Sequence, residues 1–348
     1  MKTRLRKISQ SHLFLPLVSL LLVLLFNLIY TGGEFFRISV LNGHLYGRII
    51  DILKNGTPLA LLAVGMTMVI ATGGTDISVG SVIAISGALA CSIIDGRLGL
   101  WNGSVVGAVA VALTAGVLCG AWNGLLVSKV KLQPIVATMI LLTAGRGIAQ
   151  LITDGKIVTI NNLFYYAIGA GYFLGLPIPM YLLAFLMTAV LLFVKKTAFG
   201  LFLESVGVNA EASAFSGVKS DRVKLIVYTV SGLCAGIAGV IISAGIKSAD
   251  CNNAGLYIEM DAILAVALGG NSMAGGKFSI PASVIGAFVL QALTTTILAL
   301  GVPSETTRVV KAVVVILICL IQSPAFRAVF VRLFRRLRGP SMEGSVQA

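Results

Sequence analysis

The chain has 348 residues, 57% of them hydrophobic and 11% charged, with a mean hydropathy of +0.99. Charged residues make up about 25% of an ordinary soluble domain, so the composition excludes one and fits an all-α polytopic membrane protein in a lipid bilayer. The net charge of +13 clusters in loops and tails at the ends of apolar runs, which argues against a nucleic-acid partner.

The chain opens MKTRLRKISQSHLFLPLVSLLLVLLFNLIY. A basic head precedes an apolar body of about 18 residues, longer than a signal-peptide core and with no small-residue cleavage site after it. We read it as an uncleaved first span. A span needs roughly 17–25 mostly apolar residues, and the pattern predicts ten, with cores near 13–30, 57–72, 77–94, 104–127, 135–152, 173–194, 225–246, 260–271, 280–300 and 308–322. The second, eighth and tenth are short enough to be broken or re-entrant.

Basic residues set the direction of threading. Lys2, Arg4, Arg6 and Lys7 precede the first span, and Lys129 and Lys131 follow the fourth. Lys195, Lys196, Lys219, Arg222 and Lys224 lie between the sixth and seventh, Lys277 precedes the ninth, and Arg327, Arg332, Arg335, Arg336 and Arg338 follow the last. With the N-terminus inside, these residues, most of the 26 Lys and Arg, face the cytoplasm. Both termini are then cytoplasmic, as an even number of spans requires. The expected organisation is a basic N-terminus at 1–12, a transmembrane domain at 13–322 and a basic tail at 323–348. The longest outer segments are 31–56 and 153–172; Tyr165, Tyr166 and Tyr172 in the second read as interfacial anchors.

In chain order, the first segment that could carry chemistry is ATGGTDISVGSVIAISGALA at 71–90. Thr72, Gly73, Gly74, Thr75, Asp76 and Ser78 either break a helix at membrane depth, which needs a protein or water-filled surround, or form a cytoplasmic turn with Asp76 or Ser78 capping the third span. Gly116, Gly120 and Gly124 recur every four residues, with Ala112 continuing the row, and Gly232 and Gly236 repeat the pattern later. That spacing predicts close helix packing. Asn123 beside the row could bond a neighbouring helix or a solute. Arg146, inside LLTAGRGIAQLI, needs an acid or carbonyl partner if deep; Asp76 and Asp261 are the nearest acids in kind. Near the outer end it could snorkel instead.

The polar segment 195–224 contains signals for a helix of about two turns, with Asn209 as N-cap, Glu211 in the first turn and Gly217 as the stop. A helix that short is marginal alone, so a docking partner or the membrane domain must hold it. LGGNSMAGGKFS at 268–279 fails as a nucleotide-binding loop because Phe278 stands where Ser or Thr is required. It echoes TGGTDISVG, a weak sign of an internal repeat. The five cysteines show no pairing or metal spacing.

VGMTMVIATGGTDISVGS, LLTAGRGIAQLIT, ESVGVNAEASAFSGV and MDAILAVALGGNSMAGGKF together resemble the permease subunits of bacterial monosaccharide ABC importers, the ribose/xylose/galactose group. Stretches such as YGRIIDILKNGTPLALLAVGMT bring the galactofuranose importers nearest. The resemblance implies a ten-helix permease fold in the inner membrane and no enzyme activity. It also implies two cytoplasmic ABC ATPase domains carrying the ATP, a second permease subunit, with a paralogue favoured over a second copy of this chain, a periplasmic sugar-binding protein, and no cofactor or metal on this chain. It implies an ATPase-coupling segment at Glu204, Gly207, Asn209, Ala212, Ser216 and Gly217. Val208 and Ser205 depart there from the family's usual Gly and Ala. Thr72, Gly73, Gly74, Asp76, Ser78, Asn123, Arg146, Asp261 and Asn271 are the candidates for the translocation pathway. The rival reading is an ion-coupled secondary transporter, for which Asp76 would be the ion ligand.

Overall fold

Apolar runs in lipid have no water to satisfy their backbone, so they must do so internally, as helices. A computed structural model describes residues 13–41, 43–99 and 103–322. The terminal basic residues Lys2, Arg4, Arg6, Lys7, Arg327, Arg332, Arg335, Arg336 and Arg338 lie outside the described residues, as do the expected N-terminal and C-terminal segments. The helices are α1 (Phe14–Thr31), α2 (Arg48–Ala71), α3 (Val79–Ile94), α4 (Val105–Ser128), α5 (Pro134–Ile152), α6 (Leu163–Ala170), α7 (Ile178–Lys196), α8 (Phe199–Val208), α9 (Ala210–Phe215), α10 (Ser220–Ile246), α11 (Ile258–Leu268), α12 (Ile280–Ala299) and α13 (Ser304–Gln322).

Seven helices among the described residues, α1, α2, α4, α5, α7, α10 and α12, are long and apolar enough to cross a membrane. The expected count of ten full crossings is not established. The second predicted span is a complete helix, since α2 starts well before the predicted core and runs for 24 residues. The third and eighth are shortened: α3 has 16 residues and α11 has 11, about 24 and 16 Å of rise against a hydrocarbon core of about 30 Å. The tenth, α13, carries Glu305, Arg308 and Lys311 in its first turns.

The chain divides into two compact units, residues 1–296 and 297–348. In the described part of the second, the end of α12 turns at Gly301 (φ +76°) into α13. In the first unit, α10 packs on α2, α3, α4 and α6. The contacts are made by small residues. A Cβ on Gly116 would lie 2.6 Å from the Gly232 carbonyl and 3.0 Å from Gly236 Cα, and one on Gly120 would lie 3.0 Å from Gly232 Cα. The predicted glycine row therefore lies directly on the backbone of α10. From Gly56 to Ala71 every residue of α2 is buried, so this helix is a spine rather than a lipid-facing wall. Asn27 on α1 donates to Thr296 Oγ1 of α12 at 2.7 Å, a polar tie between otherwise apolar helices.

One end of the unit, here the basic face, carries the Lys129–Asp221 ion pair (3.7 Å) that joins the end of α4 to the start of α10. At the opposite end, the far face, three short antiparallel strand pairs close the loops: β1 (Ser39–Leu41) with β2 (His44–Tyr46), β3 (Val158–Thr159) with β6 (Ser248–Ala249), and β4 (Tyr172–Phe173) with β5 (Leu176–Pro177). The tyrosines there are not equivalent anchors. Tyr165 is fully buried and its hydroxyl lies 2.7 Å from Ser243 Oγ, so it is a core residue. The Tyr166 ring sits under Lys247 Nζ at 4.3 Å. The interfacial expectation fails for Tyr165 because α6 packs on α10 and turns that side chain inward.

A side chain added to the α4–α10 contact has nowhere to go. Gly120→Val is expected to destabilise the protein by about 1–3 kcal/mol, the usual scale of overpacking. Gly147→Ala, where nothing lies within 4 Å of the new Cβ, is expected to stay within about 0.5 kcal/mol of wild type. Thermal unfolding of the two variants in detergent measures the difference.

Candidate functional site

The segment between α2 and α3 is a helix break. Gly73, at φ +76°, turns the chain out of α2 with its amide bonded to Ile70 O (2.9 Å), and Thr72 Oγ1 bonds Val69 O (2.7 Å). The chain then runs without regular structure to Ser78. Asp76 is 1% exposed. Its Oδ1 accepts from Ser78 N (3.1 Å) and Ser78 Oγ (2.7 Å), and its Oδ2 accepts from Ser231 Oγ on α10 (2.8 Å). Asn123 on α4 donates to Ser78 Oγ at 2.8 Å, Thr138 on α5 accepts from Ile77 N at 3.3 Å, and Tyr228 on α10 donates to Thr75 O at 3.4 Å. Neither Asp76 nor Ser78 caps α3 through its side chain, so the expected cap is corrected. The carboxylate is instead a buried hub fastening the break to α10. Asn123, with its Oδ1 buried and unpartnered, ties the same break to α4.

On the basic face three backbones meet. Gly276 N donates to Ala71 O at 3.0 Å. Gly207, near the end of α8, presses on the same carbonyl, and its Cβ would lie 2.5 Å from Gly276 N. A Cβ on Gly275 would lie 2.8 Å from Gly207 O and 3.0 Å from Gly73 N. The two Gly-rich turns that echo each other in sequence are thus neighbours in space, and α8 is wedged against both. Asn271 holds the second turn in shape: its Oδ1 accepts from Ser279 N (2.6 Å), and its Nδ2 donates to Ser283 Oγ (2.8 Å) and Val266 O (3.2 Å). Ser283 also receives a bond from Thr67 Oγ1 of α2 at 2.7 Å. Asn271 is therefore a loop brace.

Beyond Gly207 the predicted cap is present. Asn209 Oδ1 accepts from Glu211 N (3.0 Å) and Ala212 N (2.9 Å). α9 spans six residues, and Gly217 ends it at φ +85°. Ser220 Oγ bonds Ala210 O (2.9 Å) and Val218 N bonds Ser213 O (3.0 Å), which supplies the support a short helix lacks alone. The preceding helix, α8, was not anticipated. Its signal was available in Phe199, Leu203 and Val206, at spacings of four and three, all buried. Glu204 is half-buried, whereas Ala212, Ser216 and Gly217 are exposed. Phe215 is 93% exposed at the tip of α9.

Arg146 and Asp261 lie elsewhere. Arg146 donates to the carbonyls of Cys251 (2.9 Å) and Ala254 (2.6 Å). The expected pairing with Asp76 or Asp261 is replaced by these carbonyls, because the 250–257 segment descends against α5. Glu259 and Asp250 are its acidic neighbours. A Cβ on Gly80, in the first turn of α3, would lie 2.5 Å from both Glu259 Oε2 and Gly255 O. The starts of the two short helices α3 and α11 therefore adjoin, with a buried carboxylate at the positive end of α3. Sequence reasoning passed over Glu259, Ser231 and Gly80. The adjacent acids in IEMDAIL were the available sign for Glu259.

A bundle of membrane-crossing helices, with the irregular link between two of them pinned by neighbouring helices and a capped helix projecting from one face, is the architecture of a polytopic membrane transport subunit. Over residues 48–319 the chain matches the family described as the permease component of the branched-chain amino acid transport system, and it belongs to that family. It is 47% identical over 310 residues to the galactofuranose transporter permease protein YtfT of Escherichia coli strain K12, covering 89% of each chain. It is 37% identical to the fructose import permease protein FruF of Bifidobacterium longum, over 92% of this chain and 90% of that one. It is 38% identical to the ribose import permease protein RbsC of Escherichia coli strain K12, over 79% and 85%. No solved structure matches it.

If Asn271 braces the second turn, Asn271→Ala strands the Ser279 amide and removes a partner of the Ser283 hydroxyl. The expected cost is about 1–3 kcal/mol, read as a lower unfolding temperature in detergent. Asn271→Asp, which keeps the acceptor for Ser279, should recover part of it.

Proposed function

We propose that the chain is the membrane-spanning permease subunit of an ATP-binding cassette importer for a monosaccharide, galactofuranose-like or related. Its orientation places both termini and the basic face in the cytoplasm, following the distribution of Lys and Arg. Its partners are a cytoplasmic ATPase that carries the ATP, a periplasmic sugar-binding protein and a second permease, a paralogue of this chain. The relatives named above are import permeases for galactofuranose, fructose and ribose, which supports the sugar and sets aside the ion-coupled reading. Asp76, on which that rival rested, is satisfied by two serines.

One observation carries the coupling part of this proposal. The exposed helix α9 is joined through Asn209 and Gly207 to the backbone junction at Ala71 and Gly276, one turn of chain from the helix break. A push on Phe215 or Ala212 by an ATPase would reach the α2–α3 break through rigid backbone rather than through mobile side chains. Such coupling requires the ATP-bound and free ATPase to prefer different permease conformations. Glu204, Gly207, Asn209, Ala212, Ser216 and Gly217 form the segment in this reading. Thr72, Gly73, Gly74, Asp76, Ser78, Asn123 and Asn271 shape the moving element, and Arg146 and Asp261 belong to the pathway. Val208, 78% exposed, would sit at the ATPase contact and tune it for one partner.

Asn209→Ala removes both cap bonds at a cost of about 1 kcal/mol, about a fivefold fall in the ratio of formed to unformed α9. Sugar uptake driven by ATP should fall, by up to that factor, with normal amounts of protein in the membrane. Phe215→Ala should reduce uptake without lowering stability, since the ring is exposed. Normal uptake in both well-expressed variants would refute the coupling role, and uptake that survives loss of the ATPase but collapses with an uncoupler would refute the importer class.

A further inference from the structure

The segment between β6 and α11 does not stay at the far face. α3 and α5 run side by side in register, with Ser92 Oγ on Ile152 O (3.5 Å) near their ends and Ser81 Oγ on Leu141 O (3.0 Å) near the start of α3. Along this ruler Cys251 sits beside Thr153, with Sγ to Oγ1 at 3.3 Å, near the far face. Ala254 is one step deeper, at Arg146. Gly255 and Glu259 lie against Gly80, which at 1.5 Å per residue is about 20 Å below Ile94. The chain therefore re-enters the membrane and begins α11 far from the far face, deep in the bundle.

The surface of this re-entrant segment is polar and open. Asn252 and Asn253 are exposed. Gln150 on α5 donates to Asn252 Oδ1 at 2.7 Å, and Asp250 accepts from Asn253 Nδ2 at 2.8 Å. At the bottom, Tyr257 is 51% and Met260 52% exposed, and Asp261 is half-buried. Tyr257 holds the left-handed conformation (φ +65°) at the start of α11, a backbone that bulky residues rarely adopt and that persists only where the surrounding structure holds it, as at ligand sites. A carboxylate at the depth of Asp261 is expensive against lipid, and irregular backbone is tolerated only where it is buried in protein or lines a water-filled cavity. By contrast α1, also heavily exposed, presents leucines, as a lipid-facing surface should.

We infer that residues 250–261 form the sugar-contacting wall of the translocation pathway, with the Tyr257 ring as the platform for the apolar face of the monosaccharide. The carboxamides above it would exchange hydrogen bonds with the hydroxyls of the sugar in transit. The chemistry fits the class: a sugar ring has an apolar C–H face that an aromatic ring covers, and a rim of hydroxyls that planar amides and carboxylates pair. An aromatic with a polar tip does both. Arg146, by gripping the Cys251 and Ala254 carbonyls, positions the wall. The inference rests on the reading of the chain as a sugar permease.

The test uses cells expressing the whole importer and tritiated D-galactose, D-ribose and D-fructose as probes. A charged methanethiosulfonate reagent is applied to Met260→Cys and, as the lipid-side control, to Leu21→Cys, with labelling measured above the wild-type background. The reagent should modify the first and not the second, and whichever sugar the wild type imports should slow the modification. Tyr257→Gly, which suits the left-handed backbone, should lower uptake at least about tenfold, the ratio that 1.4 kcal/mol represents, at normal protein levels, while Tyr257→Phe keeps most of it. No modification at position 260, or unimpaired uptake by Tyr257→Gly, would overturn the wall while leaving the sugar-importer reading in place. Wild-type cells that import none of the three sugars would overturn both.

Discussion

Between α4 and α10 the glycines at 116, 120 and 232 leave no space for side chains, so the two backbones meet directly. In lipid there is no hydrophobic difference between a helix and its solvent to drive association, and close van der Waals contact has to supply it. α10 meets α2 and α3 in the same manner: a Cβ on Gly65 would lie 2.8 Å from Ser231 Cα, and one on Gly239 2.6 Å from Ile83 O. This closeness is what brings Ser231 to Asp76 and Tyr228 to Thr75. A looser bundle would strip Asp76 Oδ2 of its Ser231 donor and leave only Ser78, in the same segment, to answer the buried carboxylate.

The same closeness explains how broken helices survive. Residues 73–78 and 250–257 are irregular chain packed against the helices of the bundle. Each is pinned by groups from several helices: Asn123, Thr138 and Ser231 for the first, Arg146 and Thr153 for the second. Breaking α2 from α3 and shortening α11 puts two helix starts next to each other, around Gly80 and Glu259. It also leaves open polar backbone and side chains where a solute could use them. The junction of Gly207, Ala71 and Gly276 then links that interior to α9 on the surface with few soft degrees of freedom between.

Much of this was legible in the chain. Apolar run lengths placed α1, α4, α5, α7, α10 and α12 within a few residues, and the cap at Asn209 and stop at Gly217 were readable because capping is local chemistry. The four-residue glycine spacing named the tight contact without naming its partner. Arg146 stands out in the sequence by its cost in lipid, but its partners are the carbonyls of Cys251 and Ala254, which a sequence hides while it displays acids such as Asp76 and Asp261. α8 was missed because ten residues after a lysine pair read as polar linker, although Phe199, Leu203 and Val206 share a face.

By itself the sequence determined the class: an apolar, glycine-rich, asymmetrically charged chain that must span a membrane as helices and must expose a short capped helix on the side rich in lysine. Those properties follow from solvent transfer and local hydrogen bonding, which depend on residue type and near neighbours. Only the tertiary structure decided that Asp76 and Ser231 bond, that the two Gly-rich turns touch, that Tyr165 is core, and that residues 250–257 descend into the bundle to set Tyr257 and Glu259 at depth. Those depend on helix rotation and on which backbones approach one another, and in a chain where most positions are apolar no periodicity singles out one rotation over another.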